Sequence, residues 1–257
     1  MKLNYRIRPV NFCFSLACFL FGSFPVLADH PVSSADKMNT YKVEPVSGSF
    51  KIDADWNKKP WSETKAEKIT NYMGDKPSHF PDAQFKVRYD SKNIYVIFQV
   101  KDQYVKAKAK KLQGKIWEDS CVEFFFTPGP DISRGYFNLE TNCKGIFLLG
   151  CTQNFPGKRG SVDLSDCKRI TVAHSFQKDV ETEISEPTTW YIEYAIPFEM
   201  LNKYIKVDQP SKGVRWRANF FKCGDETSHP HWLTWNKVIY PKPKFHLPQY
   251  FGLLEFQ

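Results

Sequence analysis

One carboxylate stands inside an otherwise apolar stretch of the chain. Glu123 is the single charged residue of segment 122–126, VEFFF. An unpaired charge is costly to bury among such residues, so Glu123 needs a partner. That partner could be the hydroxyl of a bound ligand, or a cation of the chain itself, with Arg217 and Lys222 as the candidates. The sequence leaves both interpretations open.

The residues before Glu123 extend this pattern. Alternation along a strand would place Trp117, Asp119, Cys121 and Glu123 on one face. Asp119 and Glu123 would then lie about 13 Å apart along the backbone, a poor fit to the carboxyl pair of a glycoside hydrolase. The sequence contains no nucleophile elbow, HExxH helix or other catalytic signature. We therefore predict no enzymatic activity, and a glycoside hydrolase is the weaker alternative.

Seven tryptophans provide large flat rings. Trp56 is ambiguous. Three others lie in or beside apolar strand patterns and are predicted core residues: Trp61, Trp190 and Trp216. The remaining three stand among polar residues near strand ends and are candidates for ligand contact: Trp117, Trp232 and Trp235.

The first 28 residues have the order that is typical of a secretory signal peptide. Basic residues precede an apolar run at 10–27, and Ala28 precedes the expected cleavage point. An uncleaved membrane anchor is the alternative. The prediction is a secreted or periplasmic protein with a signal peptide at 1–28, a flexible tether at 29–40 and one domain at 41–257. No stable membrane insertion is expected after processing.

Charge and composition exclude some partners. Processing would lower the formal charge from +8 to +5, and no zinc-finger or RNA-binding signature accompanies it, so nucleic acid is not a predicted partner. The conspicuous charge run is 106–115, KAKAKKLQGK. It is predicted to be a solvated loop or edge, and a patch for acidic polysaccharide or a membrane surface is the weaker interpretation.

Five cysteines follow the predicted signal peptide, and none is in a CxxC arrangement. An odd number leaves at least one thiol unpaired in an oxidising compartment. We predict that several are buried free thiols that act as small hydrophobic residues. His229 and His231 could hold a transition metal, but an ordinary loop is the preferred interpretation.

Aromatic and β-branched residues at period two predict a series of strands. The runs are 84–89, 93–100, 122–126, 136–149 with a hairpin turn at 142–145, 169–176, 190–196, 214–221 and 252–256. One helix is predicted at 197–204, where Pro197 suits the first turn. Strands with so little helix between them cannot form parallel βαβ units. The expected fold is all-β, an antiparallel two-sheet β-sandwich of immunoglobulin-like or jelly-roll type with one short helix.

Several segments together resemble carbohydrate-binding module family 9, within the DOMON-like superfamily. They are KIDADW at 51–56 with Pro60-Trp61, WEDSCVEFF at 117–125, YIEYAIPF at 191–198, RANF at 217–220, Thr234-Trp235, and FHLP at 245–248 with Phe251-Gly252. In this order they cover the chain from about residue 41 to 257. Ala54 departs from the pattern, in which glycine is usual.

The resemblance implies a non-catalytic domain that clamps a terminal sugar unit between two aromatic rings. It places one ring at Trp117 and the other at Trp235, with Trp232 as the substitute. The candidate hydrogen-bonding residues for the sugar hydroxyls are Glu123, Asn142, Lys144 and Arg217.

The resemblance also implies an oligo- or polysaccharide ligand, and a separately encoded carbohydrate-active enzyme as a partner. No cofactor is certain. Structural calcium is the one metal it suggests, with Asp53 and Asp55 as candidate ligands. A haem- or metal-binding periplasmic domain of the DOMON-like type is the alternative, although the scattered histidines and methionines offer no clear axial pair.

Overall fold

The computed structural model describes residues 38–48, 50–177 and 180–257. Its strands are β1 Thr40–Pro45, β2 Glu67–Lys68, β3 Asn71–Tyr72, β4 Asp82–Tyr89, β5 Asn93–Asp102, β6 Cys121–Thr127, β7 Gly135–Asn142, β8 Phe147–Gln153, β9 Arg159–Ser161, β10 Thr171–His174, β11 Thr188–Pro197, β12 Arg215–Cys223, β13 Trp232–Thr234 and β14 Gly252–Phe256. The α-helices are α1 Leu164–Cys167 and α2 Phe198–Leu201. Short 3-10 turns lie at Trp61–Glu63, Ile116–Glu118, Ile132–Arg134 and Pro248–Tyr250.

These elements confirm the predicted all-β architecture. Each predicted strand run overlaps an observed strand, and the hairpin turn joins β7 to β8. The predicted helix is present as α2, with Pro197 at its N-cap. Helix α1 was not predicted, because four residues are too short to display an apolar period. The signal peptide and most of the tether lie outside the described residues.

Strand β1 connects two sheets. Its residues Thr40–Val43 pair with β14, and Glu44 and Pro45 pair with β4. The first sheet has the order β10-β11-β5-β4, with β2 beside β4; the second has β14-β12-β6-β7-β8-β9, with β13 beside β12 and β3 beside β13. The prediction that all strands pair antiparallel is wrong for β1, which is parallel to both neighbours. Two strands can pair in parallel when the connection between them is long enough to return the chain to the same end of the sheet. Long segments separate β1 from both β4 and β14, so this condition is met.

The main core lies between the two sheets. Phe85 of β4 stacks on Phe220 of β12 at 3.5 Å between ring centroids, and Phe124 of β6 stacks on the other side of this ring at 4.8 Å. Trp190 and Trp216 are fully buried in the same cluster, as predicted. The third predicted core ring, Trp61, is also fully buried, but in a smaller cluster of its own.

A second apolar layer covers the outer face of the second sheet. Strand β6 is central, as predicted, between β12 and β7, and all seven of its residues are buried. Phe125 of β6 and Phe221 of β12 face outward into a cluster with Val238 and Leu247. The segment after β13 therefore folds back over this face, and the space beside it is the pocket considered next.

Three other features bear on the predictions. All five cysteines after residue 28 are free and buried, as predicted for several of them. Segment 106–115 is a loop, in which Lys110 pairs with Glu181 and Lys115 pairs with Glu118 at 2.7 Å. Within the described part of the chain, no helix is long and apolar enough to cross a membrane.

Candidate functional site

A pocket of about 270 Å³ opens on the outer face of the second sheet. We refer to it as the aromatic pocket. Its walls include the rings of Trp117, Trp232 and Phe245, and buried acidic side chains line it as well. Flat rings beside hydrogen-bonding groups are the usual composition of a site for a small polar ligand.

Local structure positions each ring. Trp117 lies in the 3-10 turn immediately before β6, and Trp232 begins β13, which pairs with β12. The indole Nε1 of Trp232 donates a hydrogen bond to Asp225 Oδ1 at 2.8 Å. Phe245 stacks on Phe221 of β12, with 4.1 Å between ring centroids. The aromatic wall is therefore fixed by the sheet beneath it.

Two buried glutamates lie side by side at the pocket. Glu123 of β6 and Glu140 of β7 are directly opposed in the strand register, and each is 2% exposed. Glu123 Oε1 accepts a hydrogen bond from the Cys223 thiol at 3.1 Å. Glu140 Oε1 accepts from Asn138 Nδ2 at 3.0 Å, whereas its Oε2 has no hydrogen-bond partner. Oxygen Oε2 is thus a buried acceptor that a ligand could satisfy.

Burial determines the protonation of these acids. It raises the pKa of Glu140 to about 7 and that of Asp225 to about 6. The pKa of Glu123 lies well above its usual value, first because of burial and then because the neighbouring groups are acidic. The site therefore contains carboxyl groups that are protonated to different degrees near neutral pH.

Basic and neutral groups complete the pocket. Arg159 Nη1 donates to His246 Nε2 at 2.6 Å, and the other ring nitrogen of His246 lies 3.0 Å from Tyr136 Oη. Burial lowers the pKa of His246 to about 4, so the ring is neutral at physiological pH. Lys244 also lines the pocket. Donors and acceptors are thus both available to a ligand.

The predicted ion pair for Glu123 does not form. Lys222 is fully buried and its ammonium lies 3.2 Å from Asp102, beyond reach of Glu123. Arg217 donates to the backbone carbonyls of Phe251 and Gln249, which is a structural role away from the pocket. The cation that the sequence could have supplied to Glu123 is therefore used elsewhere.

The predicted common face with Asp119 is also wrong. The 3-10 turn at Ile116–Glu118 ends the extended pattern before β6 begins. Asp119 accepts from the amides of Lys108 and Ala109 and from Asn142 Nδ2. Asp119 lines a separate groove, which is formed with the loop 106–115. Asp119 and Glu123 therefore lie in different pockets.

Trp235 does not lie in the aromatic pocket. It is 3% exposed and packs edge-on against Phe85 and Phe220 of the main core, at 5.5 and 5.7 Å between ring centroids. An odd spacing along extended backbone sends Trp232 and Trp235 to opposite sides. The preferred clamp partner is therefore not in this pocket, and the ring that lines the same pocket as Trp117 is the substitute, Trp232.

The remaining predicted donors lie in the hairpin. Asn142 is fully buried, and its Oδ1 accepts from the amides of Lys144 and Ile146. Its side chain therefore shapes the turn between β7 and β8. Neither Asn142 nor Lys144 is among the residues that line the aromatic pocket.

The candidate metal residues have other contacts. Asp53 pairs with Lys58, which lowers the pKa of Asp53, and Asp55 Oδ1 accepts from the Asn57 amide at 2.9 Å. Calcium binding at Asp53 and Asp55 stays a prediction. His231 Nε2 lies 2.7 Å from Lys222 Nζ, and the other ring nitrogen of His231 lies 2.8 Å from the carbonyl of His229.

Sequence reasoning missed several pocket residues: Phe125, Glu140, Arg159, Cys223, Asp225, Pro243, Lys244, Phe245 and His246. A signal existed for Glu140, because Asn138 and Glu140 alternate with the apolar Phe137 and Leu139 inside a predicted strand. Its position opposite Glu123 depends on strand register, which composition does not reveal. Phe245 and His246 lie in a segment that carries the family likeness, but they lie far from Glu123 in sequence.

An all-β domain with an aromatic pocket on its outer sheet face belongs to the class of ligand-binding β-sandwich domains. The chain belongs to carbohydrate-binding family 9, whose sequence profile matches residues 59–256. The predicted family and the predicted function, non-catalytic carbohydrate binding, are confirmed at this level. The wider DOMON-like relationship stays a prediction.

Solved structures share the fold. A protein of Bacteroides uniformis that has been assigned as carbohydrate-binding is 24% identical, with a TM-score of 0.76 over 86% of this chain and 100% of that chain. A family 9 module of Caldicellulosiruptor kristjanssonii in complex with glucose is 13% identical, with a TM-score of 0.58 over 85% and 96%. A family 9 module of the same organism in complex with cellotriose is also 13% identical, with a TM-score of 0.57 over 85% of this chain and 94% of that chain. No curated protein sequence matches the chain.

Proposed function

We propose that the protein binds the end of a sugar chain in the aromatic pocket without cleaving it. The observation that carries the proposal is one arrangement: the rings of Trp117 and Trp232 line the same pocket as the unpartnered acceptor Glu140 Oε2. Rings provide flat surfaces for the C–H faces of a sugar. Buried acceptors and donors orient its hydroxyls and exclude ligands that cannot pair with them.

Pocket size and charge specify the ligand further. A volume of about 270 Å³ is slightly below the range of about 300–1,000 Å³ that is typical for drug-sized ligands. One sugar unit suits such a space better than the interior of a polymer. The pocket combines the carboxyl groups of Glu123, Glu140 and Asp225 with the cations Arg159 and Lys244. This mixture of hydrogen-bond donors and acceptors suits a hydroxyl-rich sugar, whose hydroxyls both donate and accept.

Related proteins support this ligand class. Two fold neighbours are family 9 modules in complex with glucose and with cellotriose. We extend glucose and short β-glucans to this chain as the first ligands to test. Export from the cytoplasm and action beside a separately encoded carbohydrate-active enzyme belong to the same proposal, and they are supported by the apolar N-terminal run and by the family.

Sugar hydrolysis is the second candidate, and one observation raises it. Glu123 and Glu140 are cross-strand neighbours, and directly opposed residues have Cβ atoms about 4.5–5.5 Å apart. A retaining hydrolase has carboxyl groups about 5–5.5 Å apart, one of them ionised as the nucleophile. Burial raises the pKa of both carboxyl groups, that of Glu140 to about 7, which disfavours the ionised form that a nucleophile needs, and binding is the better supported function.

Calorimetric titration with glucose and cellotriose tests the proposal. Wild type should bind at least one of these sugars, and Trp117→Ala should weaken binding by at least about tenfold. Tyr72→Ala is the matched control, because Tyr72 is an exposed ring outside the pocket. Chromatography of the same samples after prolonged incubation reports hydrolysis. Wild type that binds neither sugar, nor any other neutral glycan, would contradict the proposal, and release of glucose would replace binding by catalysis.

A further inference from the structure

Two cysteines and a glutamate come together beside the aromatic pocket, and two of them, Cys223 and Glu123, line it. The register of β6 and β12 places Cys121 directly opposite Cys223. Glu123 lies two residues beyond Cys121, so its side chain shares the same face. One ligand atom from each residue, two Sγ atoms and a carboxylate oxygen, lies within 4.8 Å of the other two. Among the described residues this is the one such group of potential metal ligands.

We propose that Cys121, Cys223 and Glu123 bind a thiophilic divalent cation of the Zn²⁺ class. The proposed metal site shares Glu123 and Cys223 with the lining of the aromatic pocket, but the proposal does not depend on whether the pocket binds a sugar.

The spacing suits such an ion. Zinc bonds thiolate sulfur at about 2.3 Å and carboxylate oxygen at about 2.0–2.2 Å, so tetrahedral ligand atoms lie about 3.5 Å from one another. The distance from Cys223 Sγ to Glu123 Oε1 is already 3.1 Å. All three residues are on adjacent paired strands, which hold their side chains without help from a mobile loop.

The buried acids at this site have no cation in direct contact among the described residues. Glu140 lies directly opposite Glu123, is 2% exposed, lines the same pocket and has an unpartnered Oε2. Across the described ranges, no salt bridge reaches Glu123 or Glu140, and Arg159, whose charge acts on Glu140, is exposed and donates to His246. Two buried acids beside two thiols are an arrangement that a bound cation would stabilise.

The ligand types select the cation. Thiolates favour Zn²⁺ and softer ions over Ca²⁺, which takes six to eight oxygen ligands. Three protein ligands leave a fourth position, as in zinc sites that bind an exchangeable molecule. Cys223 and Glu123 line the pocket, so this position faces the space in which a water or a ligand hydroxyl can lie.

Metal titration of the purified protein tests the site directly. The protein is reduced, stripped with a chelator and titrated with Co²⁺, whose thiolate complexes absorb in the near ultraviolet. We expect about one equivalent to bind with this absorption, and Zn²⁺ to displace it. Cys121→Ala/Cys223→Ala should lose the absorption and bind at least about 100-fold more weakly, whereas Cys151→Ala, a buried cysteine of β8 away from the pocket, should match wild type.

Glu123→Gln separates the third ligand from the thiols. It should retain thiolate absorption but bind the metal about 10-fold more weakly. Reduced wild type without thiolate absorption would overturn the proposal. So would purified protein in which mass spectrometry finds a Cys121–Cys223 disulfide and which binds no metal after reduction. Sugar titrations of the metal-free protein measure sugar binding without the metal. A failure of the proposed metal site can therefore be distinguished from a failure of sugar binding.

Discussion

Two buried glutamates in this fold have opposite surroundings. Glu193 of β11 is fully buried, and its carboxylate is completely paired. Its Oε1 accepts from Trp61 Nε1 at 2.7 Å, and its Oε2 accepts from the amides of Asp53 and Ala54 and from Lys58 Nζ at 2.7 to 2.9 Å. Glu123 of β6 is similarly buried, but within the described ranges its hydrogen bond comes from the Cys223 thiol, a weak donor.

The difference shows which buried carboxyl group has all its hydrogen-bond partners within the protein and which has not. Around Glu193 even the backbone is adapted, since Ala54 takes a left-handed conformation, φ 60°, with its amide hydrogen-bonded to the carboxylate. This explains why glycine is usual there in the family. Around Glu123 and Glu140 the described residues provide one hydrogen bond each, from the Cys223 thiol and the Asn138 amide, and Glu140 Oε2 has no partner. Polar groups are buried there at a cost that folding does not recover, which is the pattern of a site that awaits a ligand.

Removing the charge at Glu193 should produce the largest effect. Glu193→Gln leaves Lys58 with a weaker partner and turns an amide NH₂ toward existing donors, so we expect the free energy of unfolding to fall by about 3–5 kcal/mol. Urea denaturation followed by fluorescence measures it. A loss below about 1 kcal/mol would remove the contrast between the two glutamates.

Glu140 should make stability depend on pH in the opposite sense to an ordinary salt-bridged acid. Its folded-state pKa is about 7, above the usual 4.5, so between these values the folded state binds more protons than the unfolded state. Stability from this group is therefore fully present below pH 4.5 and falls by about 3 kcal/mol as the pH rises to 7. Denaturation of metal-free protein across this range measures the slope.

The matched variant isolates the Glu140 contribution. Buried His246, with its pKa lowered to about 4, loses stability as the pH falls below 6.5 and so opposes Glu140 over the same range. Glu140→Gln retains the histidine and the other buried acids, so its stability should fall less, or rise more, between pH 4.5 and 7 than that of wild type. Parallel curves for the two proteins would contradict the raised pKa.

The sequence predicted the fold better than the site, and particular residues show why. The run 122–126 predicted a central strand because a strand that is buried on both faces consists almost entirely of apolar residues. The sequence of β1 contains no comparable pattern that would predict its parallel pairing. Trp232 and Trp235 have similar polar neighbours in sequence, and only the strand direction sends one to the pocket and the other to the core. Likewise, Glu140 became a site residue through register with Glu123.

Pocket and core tryptophans should therefore respond differently to substitution. Trp232→Ala removes a wall of the pocket and should weaken sugar binding about 30-fold, equivalent to about 2 kcal/mol. Trp232→Phe retains a flat ring but loses the hydrogen bond to Asp225, so its binding should be intermediate. Calorimetry measures both.

Trp235→Phe is the comparison for these variants. Its ring packs in the main core, so the substitution should lower the free energy of unfolding and leave the sugar affinity of the folded protein unchanged. If Trp235→Phe weakens binding as much as Trp232→Ala, the division between pocket ring and core ring fails.

The smallest effect on folding is expected at Glu123. Burial already favours its protonated form, and glutamine has the same shape, so Glu123→Gln should change the free energy of unfolding of metal-free protein by less than about 1 kcal/mol. Urea denaturation of Glu123→Gln and Glu193→Gln compares the free energies of unfolding of two variants that carry the same substitution at similarly buried positions. A loss as large as that of Glu193→Gln would give Glu123 a structural role. A stable Glu123→Gln with altered ligand or metal binding would mean that the buried carboxyl serves what enters the pocket.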